Sequence, residues 1–377
     1  MPVPRVLILS VSAGAGHVRA AQALCAAGAG MALDTMHLDV MDFVPPRFRR
    51  IYTDLYISMV GKYPQAWGFL YRGMHRASAQ DRSEKLRRWF ERRQARTLLP
   101  KLQALQPDAI ICTHFMPAEL LSHYRPAIGV PVYVQITDFD LHRLWVQPGV
   151  DGYFVGNEEI AFGLRAAGVA ASKIHVTGLP IMPAFSQPVT RTAAAALLGL
   201  QASKPTVLLM GGGAGLGNFE SQAERLLAID PALQVIALTG KNTVLLQRLQ
   251  PLAQRYPGRL LTQGATPDVE RFMACADLVV TKSGGLTSAE CLAMGLPMVI
   301  TAPIPGQEER NADYLVELGA ALKAADALGV EFRVRRLLAQ PLLRQAMAAR
   351  ARAAGRPDAA AAVMRCVLTQ IAALAYQ

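Results

Sequence analysis

The sequence is short of cysteine and of charge. Its five cysteines, Cys25, Cys112, Cys275, Cys291 and Cys366, stand far apart in 377 residues and form no CxxC pair. An odd, scattered set suits a reducing compartment and argues against a disulfide scaffold or a zinc ribbon. Charged residues make up 18% of the chain and hydrophobic ones 52%, whereas ordinary globular domains carry roughly 25% charged residues. Global disorder is excluded, because there is ample apolar surface to bury. No run reaches about 20 uninterrupted apolar residues, so no transmembrane helix is expected. The opening VPRVLILSV is too short for a signal peptide and runs into SAGAGH, which reads as a first buried strand and its loop. There is no HExxH and no defensible three-ligand pattern, and DFD at 138–140 sits beside acceptor-side candidates rather than near a phosphate loop. No bound metal and no cofactor are therefore expected. RRM, KH and zinc-finger signatures are also missing, so nucleic acid is not an expected partner.

What the chain does have is repetition. Its length suits two domains of about 150–200 residues each. Short apolar runs, RVLILSV (5–11), DAIICT (108–113), VPVYVQIT (130–137), DGYFVGN (151–157) and KIHVTGL (173–179), alternate with segments of helical length. They lack strict polar alternation, which predicts parallel strands covered on both faces by helices. The proline-rich stretch GLPIMPAFSQPV (178–189) then interrupts the pattern and marks a domain boundary. A second cycle follows with TVLLM (206–210), QVIALTG (234–240), GRLLTQG (258–264), DLVVTKS (277–283) and PMVITAP (297–303). The fold expected is α/β, two doubly wound Rossmann-like domains facing a cleft, with ligands at the carboxyl ends of the strands. The Ala-rich residues from about 335 to 376 predict terminal helices that cover a sheet or strap the domains together.

Charge is concentrated. Residues 45–101 hold 14 Lys or Arg and 4 Asp or Glu, a net +10 of the chain's +11. Tyr52, Tyr56, Trp67, Phe69, Tyr71, Trp89 and Phe90 lie among them. Such a mixture fits a surface seated in an anionic lipid interface, and equally a solvated basic helix whose apolar stripe packs on its own domain.

Four segments carry candidate chemistry. SAGAGH (12–17) follows the first strand and enters a helix, so small residues and free amides can meet an oxygen or anion. It is not GxGxxG, and His17 stands between a catalytic role and a structural one at the helix start. Gly211 to Gly217, GGGAGLG, ends without the GK[ST] of a Walker motif but permits close contact with sugar or phosphate. TKSGGLTSAE (281–290) is the sharpest signal: amides around Gly284 and Gly285 at a helix start would stabilise a diphosphate. Glu290, about a turn and a half into that helix, could accept hydrogens from vicinal hydroxyls or serve as an ordinary surface glutamate. PGQEERN (305–311) can read hydroxyls or merely begin a helix. ITDFDLHRLW (136–145) places Asp138 and His142 beyond a strand, for proton transfer or for orientation, with Trp145 as a wall of an acceptor slot.

Taken together, SAGAGHVRAAQAL, TDFDLHRLW, DGYFVGNEE, VTGLP, MGGGAGLG, KSGGLTSAECLAMGLPMV and PGQEERNADYL resemble, in order and over nearly the whole chain, the diacylglycerol glycosyltransferases. That family holds monogalactosyldiacylglycerol synthase and processive diacylglycerol glucosyltransferase. The peptidoglycan lipid-intermediate N-acetylglucosaminyltransferase is a more distant relative. The resemblance implies the GT-B fold and an inverting transfer from a UDP-sugar to diacylglycerol, with galactose narrowly preferred to glucose. It implies an acceptor and membrane-facing domain at 1–185, a donor domain at 186–360 and a C-terminal helix at 361–377. On the donor side it places the backbone of Gly212, Gly213, Gly284 and Gly285 around phosphate or sugar, with Ser283 also among the donor-binding residues. Glu290 would grip ribose, Gln307 and Glu308 would meet the sugar, Ala265 and Thr266 would approach uracil, and Lys241 would balance phosphate charge. Gly16, His142 and Trp145 fall on the acceptor side, with His17 or Asp138 as the base. The implied setting is peripheral, at the cytoplasmic face of a membrane, with residues 45–101 on an anionic surface. The family's first loop is often richer in glycine, whereas Ala13 and Ala15 interrupt it here, and Ile181 and Met182 stand where the peptidoglycan enzyme has an arginine. Further addition of sugar to a glycolipid, transfer to a peptidoglycan lipid intermediate, UDP-sugar epimerisation and nucleotide-sugar binding without catalysis are the alternatives.

Overall fold

The computed structural model describes residues 3–375 except 13, 53–58, 60–62, 64, 70–72, 74–88, 90, 92, 94–95, 188 and 212–218. Two compact units emerge. One comprises Met1–Pro183 with Pro305–Gln307 and Asp358–Gln377, and the other Ala184–Ile304 with Glu308–Pro357. The chain therefore passes from one to the other inside the proline-rich 178–189 stretch.

The first unit is a six-stranded parallel sheet: β1 (Arg5–Ser10), β2 (Asp34–Asp39), β3 (Ala109–Cys112), β4 (Val132–Gln135), β5 (Gly152–Val155) and β6 (Ile174–Val176), in the order β2-β1-β3-β4-β5-β6. Strand periodicity shares out its apolar residues. Leu7 and Leu9 face one core with Ile110, Val134 and Tyr153, while Val6 and Ile8 face another with Ile111, Tyr133 and Phe154. Helix Ala15–Ala29 covers the second face, and the C-terminal helix Ala359–Ala375 joins it there through Val363, Met364 and Val367. The close approach needs a glycine. A Cβ on Gly28 would stand 2.5 Å from Thr35 Cγ2 and 3.2 Å from Met364 Cε.

The second unit repeats the plan with β7 (Thr206–Met210), β8 (Gln234–Gly240), β9 (Leu260–Gly264), β10 (Leu278–Thr281), β11 (Met298–Thr301) and β12 (Ala321–Ala324), in the order β12-β11-β10-β7-β8-β9. Every pairing in both sheets is parallel.

Two strands escape the sequence pattern, β2 (DTMHLD) and β12 (ALKA). Both are edge strands, only partly buried, so neither needs the apolar run that identifies a central parallel strand. The terminal helices divide between the two units. Pro341–Ala354 packs on Gly285–Met294 in the second unit, and Ala359–Ala375 belongs to the first. Pro341–Leu374 as a whole is long and apolar enough to cross a membrane by length and composition, although charged residues interrupt it. Its helix is broken around Gly355, where a Cβ would meet the Leu292 carbonyl oxygen at 2.5 Å.

Candidate functional site

In each sheet one place has neighbouring strands whose following connections diverge, and a ligand can reach the loops there. In the first unit it lies between β1 and β3, so the loop after β1 and the loop after β3 adjoin. His17, third in the Ala15–Ala29 helix, comes from one and Thr113 and His114 from the other. His17 Nδ1 lies 2.8 Å from the Thr113 carbonyl oxygen and 3.0 Å from Thr137 Oγ1. A carbonyl only accepts, so Nδ1 carries the proton and Nε2 of the neutral ring carries the lone pair. Thr113 Oγ1 in turn donates to the His17 carbonyl at 2.9 Å, which ties the helix start to β3.

Burial lowers the pKa of His17 below 6.5; the charge of Asp138 and the bond to Thr113 act in the opposite direction. His114 packs edge-on to His17, with ring centroids 4.5 Å apart and planes at 82°. Its Nδ1 accepts the Met116 N–H at 3.0 Å and so caps helix Phe115–Ile128. Burial, and then the neighbouring His17, hold His114 well below 6.5. It is a neutral wall. Gln135, fully buried at the end of β4, sends its amide to the carbonyls of Ile136 (2.8 Å), Phe154 (3.3 Å) and Gly178 (3.4 Å) and steadies the strand end that leads to Thr137 and Asp138.

The other residues expected on this side have more structural surroundings. His142 is buried, and its Nδ1 accepts the Leu144 N–H at 3.2 Å, capping the 3-10 turn Arg143–Trp145. Trp145 is only 3% exposed and belongs to the core, its ring centroid 6.2 Å from that of His17. Asp138 is half-buried, and Gly16 lies in the first turn of the His17 helix. The alanine at 15 carries no penalty, because among described residues only Gln106 and Ala302 have positive φ without being glycine. Ala13 lies outside the described residues.

In the second unit the equivalent place lies between β7 and β10. Gly212 and Gly213, expected after β7, lie outside the described residues. After β10, Gly284 occupies the N-cap of helix Gly285–Met294 with φ −63° and ψ 140° and supplies no side-chain cap. The first amides of that helix are thus left without the usual side-chain acceptor, which suits an anionic ligand. Glu290 is 5% exposed within the same helix.

Ser283 takes part in two internal hydrogen bonds. Its hydroxyl turns inward and donates to the Glu308 carbonyl at 2.6 Å, while Asn311 Nδ2 donates to the Ser283 carbonyl at 3.0 Å. Gln307 opens helix Gln307–Glu317 and groups with the first unit, whereas Glu308 groups with the second. Lys241 is exposed just after β8; Ala265 and Thr266 follow β9, where Thr266 Oγ1 accepts the Asp268 N–H at 3.2 Å. Lys241, Ala265, Thr266, Gly284 and Glu308 all follow strands of one sheet at its carboxyl edge, where such sheets take ligands. Among the described residues, no group of three or more His, Cys, Asp or Glu side chains is placed to hold a metal ion.

Thr113, His114, Thr137, Gln135 and Asn311 escape sequence reasoning. The usable signal was position: Thr113 and Thr137 close the apolar runs 108–113 and 130–137, and His114 directly follows the first.

Comparison with known proteins adds to this geometry. The family model for monogalactosyldiacylglycerol (MGDG) synthase matches residues 17–181, and that for the glycosyltransferase family 28 C-terminal domain matches residues 206–363. The processive diacylglycerol beta-glucosyltransferase of Bacillus subtilis (strain 168) is 30% identical over 327 residues, 84% of this chain and 82% of the relative. The one from Bacillus pumilus (strain SAFR-032) is 34% identical over 224 residues, 59% of this chain and 58% of that protein. Among solved structures, MurG of Acinetobacter baumannii aligns with a TM-score of 0.62 at 16% identity, over 97% of this chain and 99% of that one. That likeness is one of fold, and the fold is GT-B.

Proposed function

Since this chain belongs to the diacylglycerol glycosyltransferase family and is a UDP-sugar-dependent hexosyltransferase, we propose that it transfers a hexose, with inversion, to the 3-hydroxyl of 1,2-diacylglycerol. The observation that carries the reading is the fixed tautomer of His17, whose Nδ1–H is held by the Thr113 carbonyl. The remaining lone pair on Nε2 takes the proton of the acceptor hydroxyl. That oxygen attacks the anomeric carbon from the face opposite UDP, the bond from carbon to the β-phosphate oxygen breaks, and its electron pair leaves with UDP. A single displacement of this kind gives a β-linked product from an α-linked donor. Burial keeps His17 neutral and ready to accept a proton near neutral pH, and Asp138 stabilises the imidazolium that forms.

The donor falls to the second unit. Amides at the start of helix Gly285–Met294 meet the diphosphate and stabilise the charge that develops on it. Glu290 holds the ribose, Glu308 and Gln307 the hexose, Ala265 and Thr266 lie by the uracil, and Lys241 adds positive charge from the surface. The chemistry proposed uses no bound metal or cofactor. For the hexose, the printed names of the Bacillus relatives support glucose, while the family model of the first half supports galactose. We take glucose, because the Bacillus subtilis relative matches most of the chain where the model covers only its first half. The word processive in those names also supports the second reading, extension of a glycosyldiacylglycerol by a further sugar.

A peripheral position on an anionic bilayer is part of the proposal. Much of the basic and aromatic segment at 45–101 lies outside the described residues. Within it, Ile51, Tyr63, Phe69 and Trp89 are exposed, Phe69 by 77%, and Arg93 stacks over Trp89 at 5.9 Å. Apolar side chains in water beside arginines suit a lipid interface.

Incubation of the purified protein with diacylglycerol vesicles and UDP-glucose or UDP-galactose, followed by mass and anomer analysis, tests the reaction. A β-monohexosyl lipid is the expected first product. Free UDP with an altered hexose and no glycolipid would establish an epimerase instead. Neutralising Arg87, Arg88, Arg92, Arg93 and Arg96 together should reduce sedimentation with anionic vesicles and leave UDP binding intact; unchanged sedimentation removes this segment as the anchor.

A further inference from the structure

Ser283 and Asn311 are both fully buried, yet both are polar and both act on the loops assigned to the donor. Asn311 Nδ2 donates to the Ser283 carbonyl at 3.0 Å, Ser283 Oγ donates to the Glu308 carbonyl at 2.6 Å, and Glu308 Oε2 accepts the Ile304 N–H at 2.6 Å. The same carboxylate reaches the phosphate-side turn, since a Cβ on Gly284 would come within 3.7 Å of Glu308 Oε1. The turn after β10 and the segment after β11 are thereby joined through two hydrogen bonds, both made by Ser283, and a third fixes the Glu308 carboxylate within its own turn.

We propose that Ser283 and Asn311 are positioning residues that hold the Glu308 carboxylate at a set place beside Gly284, so that diphosphate turn and hexose-reading carboxylate work as one recognition unit. The inference rests on the reading of Glu308 as a donor-sugar contact, and it removes the Ser283 hydroxyl from the ligands of the phosphate. The argument is one of satisfaction. A buried hydroxyl needs a partner, and this one has its partner in the backbone of Glu308. Loss of that link lets the start of helix Gln307–Glu317 shift relative to Gly284, and the carboxylate moves with it. Sugar recognition then suffers, while the amides that meet the diphosphate stay where they are.

Ser283→Ala removes a single oxygen and tests this directly by calorimetry with UDP, UDP-glucose and UDP-galactose on the full chain. UDP affinity should stay within about twofold of the unaltered protein while UDP-hexose affinity falls by about tenfold. Glu308→Gln should show the same split. The double variant should be no weaker than Glu308→Gln alone, since both changes act through one carboxylate. Asn311→Leu, similar in size but without the donor, should show the split more weakly, with the thermal midpoint reporting any general loosening.

Equal loss of UDP and UDP-hexose affinity in Ser283→Ala would make the hydroxyl a phosphate ligand and overturn the proposal. Additive losses in the double variant, or no loss in Ser283→Ala, would overturn it as well. If Glu308→Gln itself leaves UDP-hexose affinity unchanged, the donor-sugar reading of Glu308 fails and takes this inference with it. Failure of the unaltered protein to bind UDP at all is a different result, which refutes the donor assignment as a whole.

Discussion

The two units share a six-stranded parallel sheet and a helix with a glycine N-cap after a strand beside the switch point, yet they populate that point with different chemistry. All seven histidines precede residue 176, in the first unit, and the second unit has none. The first surrounds its switch point with imidazoles and aromatic rings, His17, His114, Phe115 and Trp145. The second sets the carboxylates of Glu290 and Glu308 beside its glycine turn. A shared scaffold sets where a ligand can be approached, and the side chains at the strand ends set what is done to it. Under the proposed function, proton transfer falls to one half, and diphosphate and hydroxyl recognition to the other.

The most severe way to break that division is His17→Ala. Loss of the base should lower kcat by about a thousandfold with UDP affinity unchanged. A parallel fall in UDP binding, measured by calorimetry, would show that the halves are not separable in this way. Glu290→Gln is the mirror experiment and should weaken UDP binding by about thirtyfold, since it removes a charged acceptor of hydrogen bonds. The acid limb of the pH–rate profile should not move.

Acid should also discriminate between the units. His17, His37, His114 and His175 all have depressed pKa values, with burial the first cause in each case. Below pH 6.5 the unfolded first unit therefore binds more protons than the folded one, and its stability falls as pH drops through that range. Hydrogen exchange at pH 7 and pH 5 should show β1, β3 and β4 losing protection while β7 and β10 keep theirs. The smallest effect is expected at Ala302, which follows β11 with φ +44°. Ala302→Gly relieves a left-handed alanine and should raise stability by at most about 1 kcal/mol, seen in the thermal midpoint.

Legibility in the sequence followed burial. AIIC, VYVQ and GYFV are buried at every position and announce themselves as central strands. DTMHLD does not, because an edge strand can keep polar residues. The glycine turn after β10 and the histidine after β1 were readable from local spacing, as both need only a strand followed by a helix. The partners of His17 were not, since Thr113 and Thr137 stand 96 and 120 residues away. The partner of Ser283 was hidden for a related reason: its hydroxyl donates to a carbonyl 25 residues distant.

The amino-acid order alone determined two cycles of buried strands and helices, the punctuation between them and the small-residue turns at the strand ends, because these depend on periodicity and local backbone freedom. Only the tertiary structure decided that β3 lies beside β1, that Thr113 holds the proton of His17 on Nδ1, and that Ser283 faces Glu308. The reason is that parallel sheets order their strands in space rather than along the chain, so which loops meet is a consequence of packing.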